Sequence, residues 1–244
     1  MPITHLLLDI EGTTCPVSFV AEVLFPYARA QIRDYLAKHR DQPELQALLA
    51  DVQQAWRNDT HPEAIQLRDR SGVADVAPYL EWLIDNDVKL TALKDLQGMI
   101  WRAGYDQGDL VAPLFADVPA ALQRWHSSGL VLAVYSSGSV PAQQLLYGHC
   151  QCGDLRKYFS HWYDTRTGPK QQAQSYTTIA QSMNTNPAQV LFISDALAEL
   201  QAAAAAGMAV MFSDRDGNPG RDSGGFERIS DYSLLHPAHG DQHP

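Results

Sequence analysis

A chain of 244 residues, 45% of them hydrophobic and 19% charged, has apolar material enough for one large domain or for a core domain carrying an insert. Its 18 Lys and Arg stand against 28 Asp and Glu, a formal charge of -10 with no basic run to relieve it, which excludes duplex nucleic acid and anionic membrane surfaces as partners. No apolar run reaches the roughly 18 residues that span a bilayer, the start Met1-Pro2-Ile3-Thr4-His5 lacks the basic region of a secretion signal, and 3 cysteines are too few for a disulfide framework, so a reducing, cytoplasmic setting is expected.

In chain order, the first element is the apolar run Leu6-Leu7-Leu8-Asp9-Ile10, which does not alternate and so suits a strand buried on both faces of a parallel sheet. Residues 16–113 carry no such run. Leu45, Leu48, Leu49, Val52 and Trp56 share one helical stripe, and Leu90, Leu93, Leu96, Ile100 and Trp101 share another, which predicts a helical insert after the first strand. Its outlet is expected at 104–113, where glycines and a proline interrupt the periodicity, with Tyr105 as part of a hinge. Trp101 reads as plain core.

Beyond the insert, 117–127 reads as a helix with Val118, Ala121, Leu122 and Trp125 on one stripe, and 130–137 as a second buried strand ending in Ser136-Ser137. A helix over 175–183 precedes a third strand ending in Ser194-Asp195; the Ala-rich stretch 196–206, closed by Gly207, predicts another helix, and 208–212 a fourth strand. Alternation of strand and helix predicts a doubly wound parallel α/β sheet, with a core of 1–15 and 114–235, a helical insert of 16–113 and a frayed tail of 236–244.

In such a sheet, ligands bind outside the carboxyl ends of the strands, where Asp9, Ser136 and Asp195 converge. Each alone reads as a cap for the next helix; three on separate strands read as a site. Asp9 and Glu11 leave the strand two residues apart, Gly12 permits a tight turn, and repulsion among Asp9, Glu11 and Asp195 calls for a hard divalent cation, most simply Mg²⁺. Lys170, after a Gly-Pro turn, reads equally as a phosphate-binding cation and as a solvated surface lysine. Glu199 is open between a group orienting the metal or the lysine and a solvated helix charge. Cys15 reads as a small buried hydrophobe, and the C-x-C spacing at Cys150 and Cys152, beside His149 and His161, is wrong for zinc.

Asp9-x-Glu11-Gly12-Thr13-Thr14, Ser136-Ser137-Gly138-Ser139, Lys170 and Ser194-Asp195 follow the order and spacing of the four motifs of the haloacid dehalogenase superfamily. More narrowly, Phe19-Val20, Leu24-Phe25-Pro26-Tyr27, Trp101 with Gly104-Tyr105, Tyr135 through Val140, and Lys170 with Ser175-Tyr176 make the chain resemble the enolase-phosphatases of methionine salvage over about residues 4 to 235. The resemblance implies an α/β core with an inserted helical cap, Asp9 as nucleophile, and Mg²⁺ held by Asp9, Glu11 and Asp195. It implies Ser136 and Ser137 at the substrate's phosphate end, with Lys170 neutralising that phosphate. It also implies a small phosphorylated substrate, 2,3-diketo-5-methylthiopentyl 1-phosphate, enolised and then dephosphorylated to an acireductone. A monomeric chain is expected.

Most phosphatases of that superfamily carry Asp where this chain has Glu11, so the acid-base role does not transfer directly. Glu11 is the candidate base for enolisation, with a polar group of the insert as its rival. Rival functions are a Mg²⁺-dependent phosphatase with no enolising step, a metal-free dehalogenase, which has less need of several acids around Asp9, and a binding protein without turnover.

Overall fold

The computed structural model describes residues 1–237 and divides into two compact units, Met1–Val20 with the chain from Val111 onward, and Ala21–Leu110. The helical unit is thus narrower than the expected 16–113. At its outlet the chain is already tied into the sheet-bearing unit, where Ala112 N–H donates to the His149 carbonyl at 2.9 Å and Phe115 N–H to the Thr14 carbonyl at 3.1 Å. Of the tail expected over 236–244, His236 is exposed and Pro237 buried, and 238–244 lie outside the described residues.

In chain order the elements are β1 (His5–Leu8), α1 (Phe25–His39), α2 (Pro43–Asn58), α3 (Pro62–Ser71), α4 (Ala77–Asp85), α5 (Thr91–Gln107), α6 (Val118–Ser127), β2 (Val131–Tyr135), α7 (Val140–Gly148), β3 (Phe159–Tyr163), α8 (Ala173–Ser182), β4 (Val190–Ser194), α9 (Leu197–Ala205), β5 (Ala209–Ser213) and β6 (Arg228–Ile229). The strands form one parallel sheet in the order β3-β2-β1-β4-β5-β6. β1 is central, with Leu8 in register with Val134 on one side and Ile193 on the other. Its Leu6, Leu7 and Leu8 are fully buried, which is why the run is apolar on both faces.

The fold is the doubly wound α/β sheet that the sequence predicts, with two strands more than the sequence reveals. β3 lies at an edge, and of its five residues only Phe159 is buried; β6, at the other edge, has two residues. Neither offers the continuous apolar signal of a central strand. The chain leaves β1 towards both edges in turn, so the sheet's switch point, and its crevice, lies at the carboxyl end of β1.

The Ala21–Leu110 unit has its own core. Leu45, Val52 and Trp56 from α2 and Leu93, Leu96 and Ile100 from α5 are buried together, with Leu48, Leu49, Leu90 and Trp101 packed against them. Proline in the first turn of α2 and of α3 suits helix starts, where its missing N–H has no partner to lose. One expectation is corrected here. α5 does not break at Gly104 but runs on to Gln107, and Tyr105, read as a hinge, is buried within it. Gly104 serves close packing, because a side chain there would collide with the ring of Tyr27.

Candidate active site

Asp9 leaves β1 at the switch point, its N–H bonded to the Ile193 carbonyl at 3.0 Å, and is 5% exposed. One carboxylate oxygen, Oδ1, accepts from Lys170 Nζ at 2.7 Å. The same ammonium pairs with Glu199 Oε2 at 2.7 Å, and Glu199 in turn accepts from Ser194 Oγ at 2.9 Å. Ser194 Oγ also approaches Asp9 Oδ2 at 3.5 Å. The Lys170 side chain is 9% exposed, so both pairs work at reduced dielectric. Of the two readings open for Lys170, solvated surface lysine is ruled out; for Glu199, the solvated helix charge likewise.

The backbone around Lys170 is fixed by three side chains. Tyr135 OH donates to the Gly168 carbonyl at 2.8 Å, Ser175 Oγ to the Pro169 carbonyl at 2.8 Å and Tyr176 OH to the Lys170 carbonyl at 2.7 Å. Tyr135 and Tyr176 meet edge to face, and Lys170 Nζ lies 5.7 Å from the centre of the Tyr135 ring. A flexible lysine is thereby given a fixed root and an aromatic wall.

After Asp9 the chain turns sharply. The Ile10 carbonyl collects the N–H groups of Thr13, Thr14 and Cys15, and Gly12 N–H donates to the Cys15 carbonyl at 2.8 Å. Gly12 has φ +66°, and a Cβ there would run into the carboxylate of Asp195 and lie 2.8 Å from Asn218 Oδ1. The Gly12 carbonyl is held by Ser213 Oγ and Asn218 Nδ2, each at 2.9 Å. Thr14 Oγ1 pairs with Tyr147 OH at 2.7 Å, and Tyr232 OH donates to the Thr13 carbonyl at 3.0 Å. Asp9, Glu11 and Asp195 are thus on one lip of the sheet.

Ser136 and Ser137 follow β2 on the neighbouring strand end. Ser136 is buried, and its Oγ accepts from Gly138 N–H at 3.2 Å; Ser137 is exposed. Gln143, buried in the first turns of α7, donates through Nε2 to the carbonyls of Gly138 and Tyr163, both at 2.8 Å, which fixes the turn after Ser136. Gln143 and Asn218 escape the sequence reading. For Asn218 a signal exists, since the Gly217-Asn218-Pro219-Gly220 turn follows the end of β5 at the same lip.

The charges are unbalanced: Asp9, Glu11, Asp195 and Glu199 face the single ammonium of Lys170. Burial first, then Asp9 and Asp195, pushes Glu11 up to about 7. Burial, then Asp9, pushes Asp195 up to about 6 and Glu199 up to about 7. Burial opposes the charge of Lys170, but Asp9 and Glu199 outweigh it and hold the ammonium above the usual lysine value. Excess negative charge on all-oxygen donors fits a hard divalent cation. Among the described residues no three His, Cys, Asp or Glu side chains close into a ready-made cage, and Asp9 Oδ1 is turned to Lys170.

The model of haloacid dehalogenase-like hydrolases matches residues 3–207. An enolase-phosphatase E1 of Parasynechococcus marenigrum is 49% identical over 225 residues, 90% of this chain and 92% of that protein. One of Synechococcus elongatus is 49% identical over 233 residues, 96% of this chain and 98% of its own. The crystal structure of the UTR4 protein of Saccharomyces cerevisiae, 32% identical, superposes with a TM-score of 0.78 over 96% of this chain and 100% of that one.

Proposed function

Since the chain belongs to the enolase-phosphatases of the haloacid dehalogenase-like hydrolases, we propose that this phosphatase is bifunctional. On that reading it enolises 2,3-diketo-5-methylthiopentyl 1-phosphate and then removes its phosphate, releasing the acireductone of methionine salvage in the cytoplasm. The observation that carries the phosphotransfer reading is the buried Asp9–Lys170 pair at the switch point of the sheet.

Asp9 attacks phosphorus, the bond from phosphorus to the ester oxygen breaks, and water then cleaves the resulting aspartyl phosphate. Bringing a carboxylate to about 4 Å from one negative charge costs roughly 4 kcal/mol at an effective dielectric near 20, and a dianion costs more. Lys170 offsets part of this. It is already charged and its backbone is fixed, so no reorganisation is needed as charge shifts to the equatorial oxygens. Ser136 and Ser137 donate hydroxyls to the phosphate end.

Asp9, Glu11 and Asp195 would hold Mg²⁺, which when bound supplies Lewis-acid polarisation of phosphoryl and enolate oxygens. Glu11 is our candidate for the group that takes the proton from the carbon beside the carbonyl. The group must be ionised to take up that proton, and a bound divalent cation favours the ionised carboxylate.

The test is an assay of phosphate release and enol absorbance from the diketone phosphate, with wild type and Asp9→Asn. The variant is expected to lose phosphate release by several orders of magnitude. An active variant would overturn Asp9 as nucleophile, and phosphate release in wild type with no preceding enol absorbance would overturn the enolising step.

A further inference from the structure

Two thiols that take no part in the chemistry above touch each other. Residues 150–153 form a tight turn closed by Gly153 N–H on the Cys150 carbonyl at 2.9 Å. Ala112 anchors the turn: its N–H donates to the His149 carbonyl at 2.9 Å and its carbonyl accepts from Gln151 N–H at 3.3 Å. Within it Cys152 Sγ lies 3.6 Å from Cys150 Sγ and directs its S–H there, while Cys150 donates its own S–H to the Gly153 carbonyl at 2.8 Å. Cys152 is exposed and Cys150 buried. We propose that Cys150 and Cys152 are a redox modification site, a dithiol that a small-molecule disulfide such as oxidised glutathione converts into an intramolecular disulfide.

Exposure decides the order of events. The Cys152 thiolate attacks one sulfur of the small disulfide, forming a mixed disulfide and expelling the other half as a thiolate. Cys150 then gives up its proton and attacks the Cys152 sulfur, expelling the second half. The pair loses two electrons and two protons, and the small disulfide is reduced to two thiols. Burial, followed by the neighbouring Cys152, pushes the Cys150 thiol upward, which slows its attack on any thiol reagent from solution. Its attack on Cys152 is intramolecular across a few ångströms, where effective molarities reach about 10⁵ M or more. Cys15, the remaining thiol, is fully buried and has no access to a reagent.

The experiment incubates the full chain with oxidised glutathione, quenches in acid, alkylates under denaturing conditions and maps the peptides by mass. Wild type is expected to fall from 3 free thiols to one, to retain no glutathione, and to recover all its thiols with reductant. Cys150→Ser is expected to trap glutathione on Cys152, where wild type retains none. Cys152→Ser, a change at an exposed position that folding tolerates, is expected to keep both its thiols, and it carries the comparison if Cys150→Ser fails to fold. Glutathione retained on Cys152 of wild type beside an alkylated Cys150, a bridge that includes Cys15, or three surviving thiols would each overturn the proposal.

Discussion

Lys170 is a single cation shared by two buried carboxylates, and that sharing has a measurable consequence. Removing one partner of a buried pair leaves the other charge without compensation, a cost of about 3–5 kcal/mol. With chelator present, Lys170→Met is therefore expected to lower the unfolding free energy by that amount in wild type. In an Asp9→Asn background it is expected to cost less by about 1–3 kcal/mol, since one of the two charges it strands has gone and only Glu199 remains. Urea unfolding of the four proteins measures the coupling; costs that simply add would show that the pair carries no energy. Asp9 and Asp195 are legible in the sequence because each ends an apolar run, a local pattern. On the residues alone Lys170 and Glu199 stay open between a site role and a solvated charge, because the decisive contact joins residues 161 positions apart and exists only once three strands are assembled. Asn218 has only the local signal of its turn, since its partner is the Gly12 carbonyl, 206 positions away.

At the level of the element, the turn after β1 matters more than the strand itself. Gly12 occupies left-handed backbone, where a side chain costs about 1–2 kcal/mol, and its missing Cβ is the space that Asp195 and Asn218 fill. Gly12→Ala is expected to destabilise the fold by about 1–3 kcal/mol and, in the molecules that remain folded, to lower kcat/KM by at least about tenfold as Asp195 is displaced. Thermal unfolding and phosphate release measured on one preparation separate the two effects; full activity would show that the lip tolerates a displaced carboxylate. β1, β2 and β4 could be read from sequence because burial on both faces makes them continuously apolar. β3 could not, because an edge strand with a single buried residue carries no such run. The run of α5 through Gly104 was hidden because a glycine that packs against a tyrosine and one that ends a helix look alike in sequence.

Over the whole molecule, the net charge of -10 and the carboxylates at the lip act in the same direction. Glu11, Asp195 and Glu199 bind protons more tightly folded than unfolded, so the native state holds more protons wherever pH lies between the ordinary carboxylate values and their raised ones. The slope of unfolding free energy with pH follows protons bound unfolded minus protons bound native, and is negative in that window. Stability of the metal-free protein is therefore expected to fall from about pH 4.5 to about pH 7 and to level off above. For Glu11 alone, a rise from 4.5 to about 7 is worth on the order of 3 kcal/mol. A divalent cation competes with those protons, so Mg²⁺ is expected to raise the melting temperature strongly at about pH 8 and little at about pH 5. Glu11→Gln separates this cluster from general charge repulsion: it leaves the rest of the acidic surface intact, so the variant should melt higher than wild type at about pH 8 in chelator, with a flatter pH slope and a smaller gain from Mg²⁺. Melting curves in chelator and in Mg²⁺ across that range decide it, and a slope unchanged by the substitution would place the pH dependence on the surface at large rather than on the lip of the sheet.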